Sequence, residues 1–265
     1  MAGVEIHYED ITVIRVGRLH PGGERIGEGQ HNPIKGVASF QAGDDIEELV
    51  VFAKELSDRE MSIEIICATL GRKIGLPIPE PVILFDDDEK IFFGSIDAEY
   101  PSLAHYIKDT KDPSIELKLS TWGGLSQAAF FDEWIAMDDR NNGNLLFDGE
   151  GFILIDHESA IPSGLQADQS GIDFYFNQLL DILLCNLDRN NEIEVQKLAN
   201  DARAWSQQNS EDPTSYTDNF LEKTINEKNR NQLMSFLSSR IEILGAMLYH
   251  QIKPNQMQMQ YDAKS

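Results

Sequence analysis

Asp139-Arg-Asn-Asn-Gly-Asn144-Leu-Leu-Phe147, followed after a short turn by Gly151-Phe-Ile-Leu-Ile-Asp156-His157, is the stretch on which the reading of this chain turns. An Asp, an Asn five residues later and an Asp twelve residues beyond that, closing an apolar run, are the polar parts of a phosphoryl-transfer site. In that arrangement the first Asp orients the accepting hydroxyl, and the Asn and second Asp hold the Mg²⁺ ions that bridge the phosphates. The chemistry asks for oxygen donors that keep a hard cation in a near-octahedral shell. Ile153-Leu154-Ile155 reads as a short buried strand that delivers Asp156 into a cleft. Asp and Asn also crowd ordinary turns, and Asn-Gly is a hairpin signal, so residues 139–143 taken alone fit a plain loop equally well.

Two upstream features favour the functional reading. Glu48-Leu-Val-Val-Phe-Ala-Lys54 is apolar, β-branched and short, which predicts a strand ending in a cation. In the kinase plan such a lysine contacts phosphates and is held by a glutamate from the next helix. Ser57-Asp-Arg-Glu60 has capping-box form, and Ile63, Ile66, Cys67, Leu70 and Ile74 continue with helical spacing up to Gly75, with Pro77 and Pro79 beyond. Glu64 shares a face with Cys67, Ala68 and Gly71, small residues that predict a close approach to a sheet. A Lys54–Glu64 pair is the expectation, with Glu60 as competitor.

The run Glu64-Ile-Ile-Cys-Ala-Thr-Leu-Gly-Arg-Lys-Ile-Gly-Leu-Pro-Ile-Pro79, with Trp134-Ile-Ala-Met-Asp-Asp139-Arg140 and Leu154-Ile-Asp-His157, resembles the HipA-like kinases, bacterial atypical serine/threonine kinases that include toxins of toxin–antitoxin modules. The resemblance spans roughly residues 48–160. Residues 139–144 are also similar to the catalytic loop of phosphatidylinositol 3- and 4-kinases, where a Gly and a His usually occupy the places of Asp138 and Asn141. The resemblance implies Lys54 on ATP, Asp139 as the catalytic Asp, Asn144 and Asp156 as ligands of Mg²⁺, a protein Ser/Thr acceptor and an antitoxin partner. Glu158 departs from it, standing where these families usually carry Gly.

Residues 21–43 carry Pro21-Gly-Gly23, Gly27, Gly29, Pro33, Gly36 and Gly43 just before the Lys54 strand, where a kinase places its phosphate-covering loop. Gly36 and Ser39 are the candidate nucleotide contacts there. A clean Gly-x-Gly-x-x-Gly is absent, and a flexible surface connection fits as well. Residues 5–19 alternate like strands, and Val82–Phe85 and Lys90–Phe93 form a hairpin across Asp86-Asp-Asp-Glu89. Gly94–Asp97 would be the hinge whose backbone pairs with adenine. Helices are predicted over 125–137, 174–187, 192–204 and 230–252, with Asp132 and Glu133 exposed on the first. His157 reads as a structural hydrogen-bonding group rather than a base.

The expected fold is α+β and bilobal, protein-kinase-like: a small sheet-rich N-lobe (1–97), a mostly helical C-lobe (98–253) and a flexible tail (254–265). With 22 basic and 45 acidic residues, the formal charge of −23 repels nucleic acid and anionic membrane and favours a protein partner with a basic surface. Solubility alone accounts for the acidity as well. Cys67 and Cys185 are too few for a disulfide framework and read as reduced core residues. With no signal peptide, transmembrane run or lipidation motif visible, a soluble cytoplasmic protein is expected. Zinc-ligand clusters, a Gly-x-Ser-x-Gly elbow and internal repeats are likewise not found. A small-molecule or phosphoinositide acceptor and an inactive nucleotide-binding module are the alternatives.

Overall fold

A computed structural model describes residues 14–26, 31–110, 114–210 and 226–253. The strand reading of residues 5–13 and the tail reading from 254 lie outside them.

The first half of the chain forms six strands, β1 (Arg15–Leu19), β2 (Glu24–Arg25), β3 (Ile34–Ala42), β4 (Asp45–Lys54), β5 (Pro81–Phe85) and β6 (Ile91–Ile96), with helix α1 (Asp58–Lys73) between β4 and β5. The sheet runs β1-β5-β6-β4-β3-β2, and β1 also pairs antiparallel with β3, so five of the strands close into a barrel. Closure removes the open edges that a small sheet would otherwise expose. Alternation along the strands sorts the side chains. Phe40, Val51, Val82, Leu84 and Phe92 fill the barrel, while Ile83 and Phe93 face outward into the larger core that contains α1. The interior is so narrow that a β-carbon at Gly17 would lie 2.5 Å from Phe40, and one at Gly94 2.6 Å from Leu84.

Gly94–Asp97, the expected hinge, is the end of β6 and its exit, and Ser95 and Ile96 line the cleft described below. Gly94 pairs with Ala53 on one side and Val82 on the other, and the N–H groups of Ile96 and Asp97 donate to Glu80 O (3.0 Å) and Val50 O (2.9 Å). Those donors are therefore committed to the barrel. The chain leaves it at Ala98, and Glu99 takes a left-handed φ of +64° in the exit turn.

Helix α1 begins with the expected capping box: Glu60 N donates to Ser57 Oγ, and Ser57 N donates to Glu60 Oε2 at 2.9 Å. From Met61 to Gly71 it is buried on every side. It packs against β5 and β6 as expected, and Gly71 also makes room on another side: a β-carbon there would meet Ile78 at 2.3 Å and Phe131 at 3.0 Å.

The second half holds α2 (Leu103–His105) with a π-turn (Tyr106–Thr110), α3 (Ser114–Ser120), α4 (Leu125–Trp134), a 3₁₀ turn (Asn142–Asn144), the hairpin β7 (Leu145–Phe147) and β8 (Phe152–Leu154), then α5 (Gln178–Cys185), α6 (Glu192–Gln208) and α7 (Glu227–Ile252). Helix α4 stops three residues short of the expected end, and Ala136 adopts φ +48° just beyond it. Helix α5 starts only at Gln178, because Asn177 caps it by accepting from Leu180 N at 3.0 Å. Cys67 is buried as expected, but Cys185 is exposed. Among the described residues no helix is long and apolar enough to cross a membrane.

Candidate active site

A cleft of about 630 Å³ opens between the barrel and the β7–β8 hairpin. Phe52, Lys54 and Phe93 line one wall; Asn144, Leu146 and Asp156 line the other.

Lys54 is the last residue of β4, so the ladder fixes its backbone while its ammonium enters the cleft. Three carboxylates surround it: Glu64 Oε1 at 3.4 Å, Glu158 Oε2 at 2.8 Å, and Asp156 Oδ1 in the tightest ion pair of the set. Burial disfavours the Lys54 charge, but Glu64, then Asp156 and Glu158, outweigh it and hold the pKa above its ordinary value. Glu64 sits mid-helix and is locked from behind by the backbone N–H of His157, which donates to Oε2 at 3.0 Å. Burial pushes its carboxyl up, yet the His157 hydrogen bond and the Lys54 charge prevail and draw it down to about 2. Glu60, the competitor, stays at the helix cap with Ser57. Among the described residues His157 Nε2 has no hydrogen-bond partner, and its ring is buried against Phe131, as befits a structural group rather than an exposed base.

Three carboxylates against one ammonium leave an excess of negative charge. At Glu158 burial above all, with Glu64 and Asp156 adding to it, pushes the carboxyl above its usual range despite the adjacent Lys54. Carboxylate oxygens of Glu64, Asp156 and Glu158 all lie within 4.8 Å of one another. An all-oxygen donor set with surplus negative charge fits a hard divalent cation. Asn144 lines the same cleft and adds a carboxamide oxygen. Asp156 holds φ at +58°, a left-handed conformation that Asp tolerates better than most side chains and that turns its carboxylate toward Lys54.

Asp139 is exposed at the cleft mouth, its Oδ1 accepting from Asn141 Nδ2 at 2.8 Å. Asn144 Nδ2 donates to Asp139 O at 2.7 Å, which closes the loop between them. Behind it lies a residue that sequence reasoning passed over. Arg140 is fully buried, paired bidentately with Asp132 (3.0 and 2.9 Å), and its Nη1 donates to Asn144 O and Ile155 O at 3.3 and 2.6 Å. One guanidinium thus ties α4 to the loop and to the strand end that carries Asp156.

Asp132 and Glu133 were expected to be exposed, and both are completely buried. Glu133 accepts from Gln251 Nε2 (2.8 Å), Asn177 Nδ2 (3.1 Å) and Gly171 N (3.1 Å), and pairs with the buried Arg240. The partners of Glu133 lie on α7 and on residues 171–177, and that of Asp132 is Arg140 in the loop beyond the helix, so the spacing within α4 carried no sign of them. Arg140, adjacent to Asp139 in an otherwise acidic and polar loop, was the one local hint.

Gly36 and Ser39 do not reach the cleft. Both sit within β3, opposite Val51 and Glu48, and Ser39 Oγ contacts His20. The cleft is instead flanked by Ile26 and Pro33, on either side of residues 27–30, which lie outside the described residues together with Gly27 and Gly29.

The sequence profile described as HipA-like kinase matches residues 40–240. The crystal structure of a Helicobacter pylori proinflammatory kinase, CtkA, superposes with a TM-score of 0.55 at 13% identity, covering 89% of this chain and 96% of that one. The structure of an N-terminal fragment of LepB from Legionella pneumophila gives a TM-score of 0.47 at 14% identity, covering 81% of this chain and 45% of the fragment. No curated protein matches the sequence.

Proposed function

The chain belongs to the HipA-like kinase family, and we propose from this premise that it transfers the γ-phosphoryl group of ATP to a serine or threonine hydroxyl of a protein. The observation that carries the reading is the gathering of Lys54, Asp139, Asn144 and Asp156, drawn from widely separated parts of the chain, around one cleft. In this reading the barrel with α1 is the N-lobe (residues 1–97), and residues 98–253 form the C-lobe.

Asn144 and Asp156 would hold Mg²⁺, and the cation when bound neutralises phosphate charge. Glu64 is almost wholly buried, with 2% side-chain exposure, and fixed by His157 N, so it keeps Lys54 in place. Asp156 is 33% exposed, and in this reading its carboxylate exchanges Lys54 for the cation. Lys54 then has an ammonium to offer the α- and β-phosphates. Asp139 orients the acceptor hydroxyl and takes its proton late, as the bond from Pγ to the bridging oxygen breaks and the new P–O bond forms. Support for a protein acceptor comes from the formal charge of −23, which disfavours anionic lipid and nucleic acid and favours a basic surface.

The test is labelled ATP incubated with host lysate and either wild type or Asp139→Asn. Label in protein with wild type, lost by several orders of magnitude in the variant while ATP binding persists, is the expected result. Label confined to lipid or to a small metabolite would replace the acceptor.

A further inference from the structure

Residues 171–176 lie on the C-terminal side of the metal-site loop and are not used by the chemistry above. Three of their side chains are large, apolar and open to solvent: Ile172 is 66% exposed, Phe174 55% and Phe176 56%. A soluble surface rarely gathers three such groups within five residues without use for them. They are not on a loose loop. Tyr175 between them is buried, its hydroxyl donating to Glu133 O at 3.3 Å and contacting Arg240. Gly171 N and Asn177 Nδ2 are bound to the carboxylate of Glu133. Inward residues thus anchor the segment to α4 and α7, and that anchorage holds the apolar side chains outward.

The segment is also tied to the catalytic residue. Phe176 N donates to Asp138 Oδ1 at 2.9 Å, and Asp138 directly precedes Asp139. An extended polypeptide advances roughly 3.3 Å per residue, so a chain held at Asp139 passes the patch within a few residues. The exposed charge on this stretch of chain has one sign. No Lys or Arg occurs between Arg140 and Arg189, whereas Asp138, Asp139, Asp168 and Asp173 all lie on or beside the segment and are exposed. The guanidiniums beneath, Arg140 and Arg240, are completely buried and taken up by inner partners.

We propose that Ile172, Phe174 and Phe176 form the docking platform for the substrate polypeptide, which carries an apolar residue about three positions from the acceptor hydroxyl and flanking Lys or Arg. This rests on the kinase reading above and names the segment that the kinase would select. The apolar side chain covers the exposed rings, and the basic residues meet Asp138 and Asp173.

Binding tests it separately from catalysis. Three fluorescent peptides with a central Ser would be used: one with Arg and Leu flanks, one with Arg alone, and one with Glu and Leu. Their anisotropy is titrated with wild type, Phe174→Ser/Phe176→Ser and Asp173→Lys in the presence of Mg-ADP. Wild type should bind the Arg/Leu peptide at least about tenfold tighter than either control, the scale of one well-seated anchor. The double variant should lose the preference over the Arg-only peptide while its Mg-ADP melting shift is unchanged, and Asp173→Lys should weaken both Arg-bearing peptides but not the Glu/Leu peptide. Equal affinity for all three peptides, equal binding by wild type and the double variant, or no binding by wild type up to about 1 mM would overturn the proposal. So would a wild-type dimer, seen by light scattering, that the double variant splits, because the patch would then be an interface between copies. Transfer of label to lysate protein is read independently, so failure of docking and failure of the kinase reading give different results.

Discussion

Asp132 and Arg140 form a bidentate ion pair, 3.0 and 2.9 Å, with both side chains completely removed from solvent. The same guanidinium donates to the carbonyls of Asn144 and Ile155, so the pair fixes the spacing between Asp139 and Asp156. It positions the site rather than touching substrate.

Breaking that pair should be costly. Asp132→Ala leaves a buried, unpaired guanidinium, and such losses run to about 3–5 kcal/mol. For a chain of this size that is a fall in melting temperature of roughly 6–20 °C. Arg140→Lys keeps the charge but cannot span two carboxylate oxygens and two carbonyls. It should fold with a smaller loss and transfer phosphate at least about tenfold more slowly. Thermal unfolding and initial rates check both, and wild-type values in either variant would refute the positioning role.

Lys54→Met should lose phosphoryl transfer by about 10²–10³, the scale of removing one charge-stabilising donor. It also leaves Glu64, Asp156 and Glu158 without their shared ammonium. The variant should therefore be less stable at neutral pH without metal, and Mg²⁺ should restore part of the loss. Denaturant unfolding with EDTA or Mg²⁺ measures this, and a stability indifferent to both the mutation and the metal would count against the cluster.

Mg-ATP at about a hundred times its dissociation constant should stabilise the wild type by about 2.7 kcal/mol. Asp156→Asn should abolish the Mg-dependent part of that shift while leaving the metal-free melting temperature nearly unchanged. A full shift in the variant would remove Asp156 from the metal site.

The Glu64 carboxyl is drawn down to about 2 in the folded chain, below the ordinary glutamate value near 4.3. A depressed pKa contributes stability that is complete above the unfolded value and is lost as the pH falls through the folded one. The stability difference between wild type and Glu64→Gln, measured in EDTA, should be level above about pH 5 and shrink from about pH 4.3 down to 2. A difference independent of pH would show that Glu64 is not held ionised by Lys54 and His157.

What the sequence determined by itself was local. The capping box at Ser57, the strand ending at Lys54, the hairpin across residues 86–89 and the Asp139–Asn144–Asp156 spacing depend on neighbours in the chain, and periodicity reports such neighbours directly. Glu64 rather than Glu60 at Lys54 followed from the same helical geometry. Tertiary structure decided the rest. Bonds from Ile96 N to Glu80 O and from Asp97 N to Val50 O committed those donors to the barrel, and the β3–β4 register set Gly36 and Ser39 opposite Val51 and Glu48 rather than in the cleft. Asp132 and Glu133 look like surface acids on a helix, because nothing within α4 reveals Arg140 folding back from the loop or Arg240 arriving from α7 more than a hundred residues later. A buried charge is tolerated only where its partner is, and that partner's place is fixed by packing between distant elements rather than by spacing along the chain.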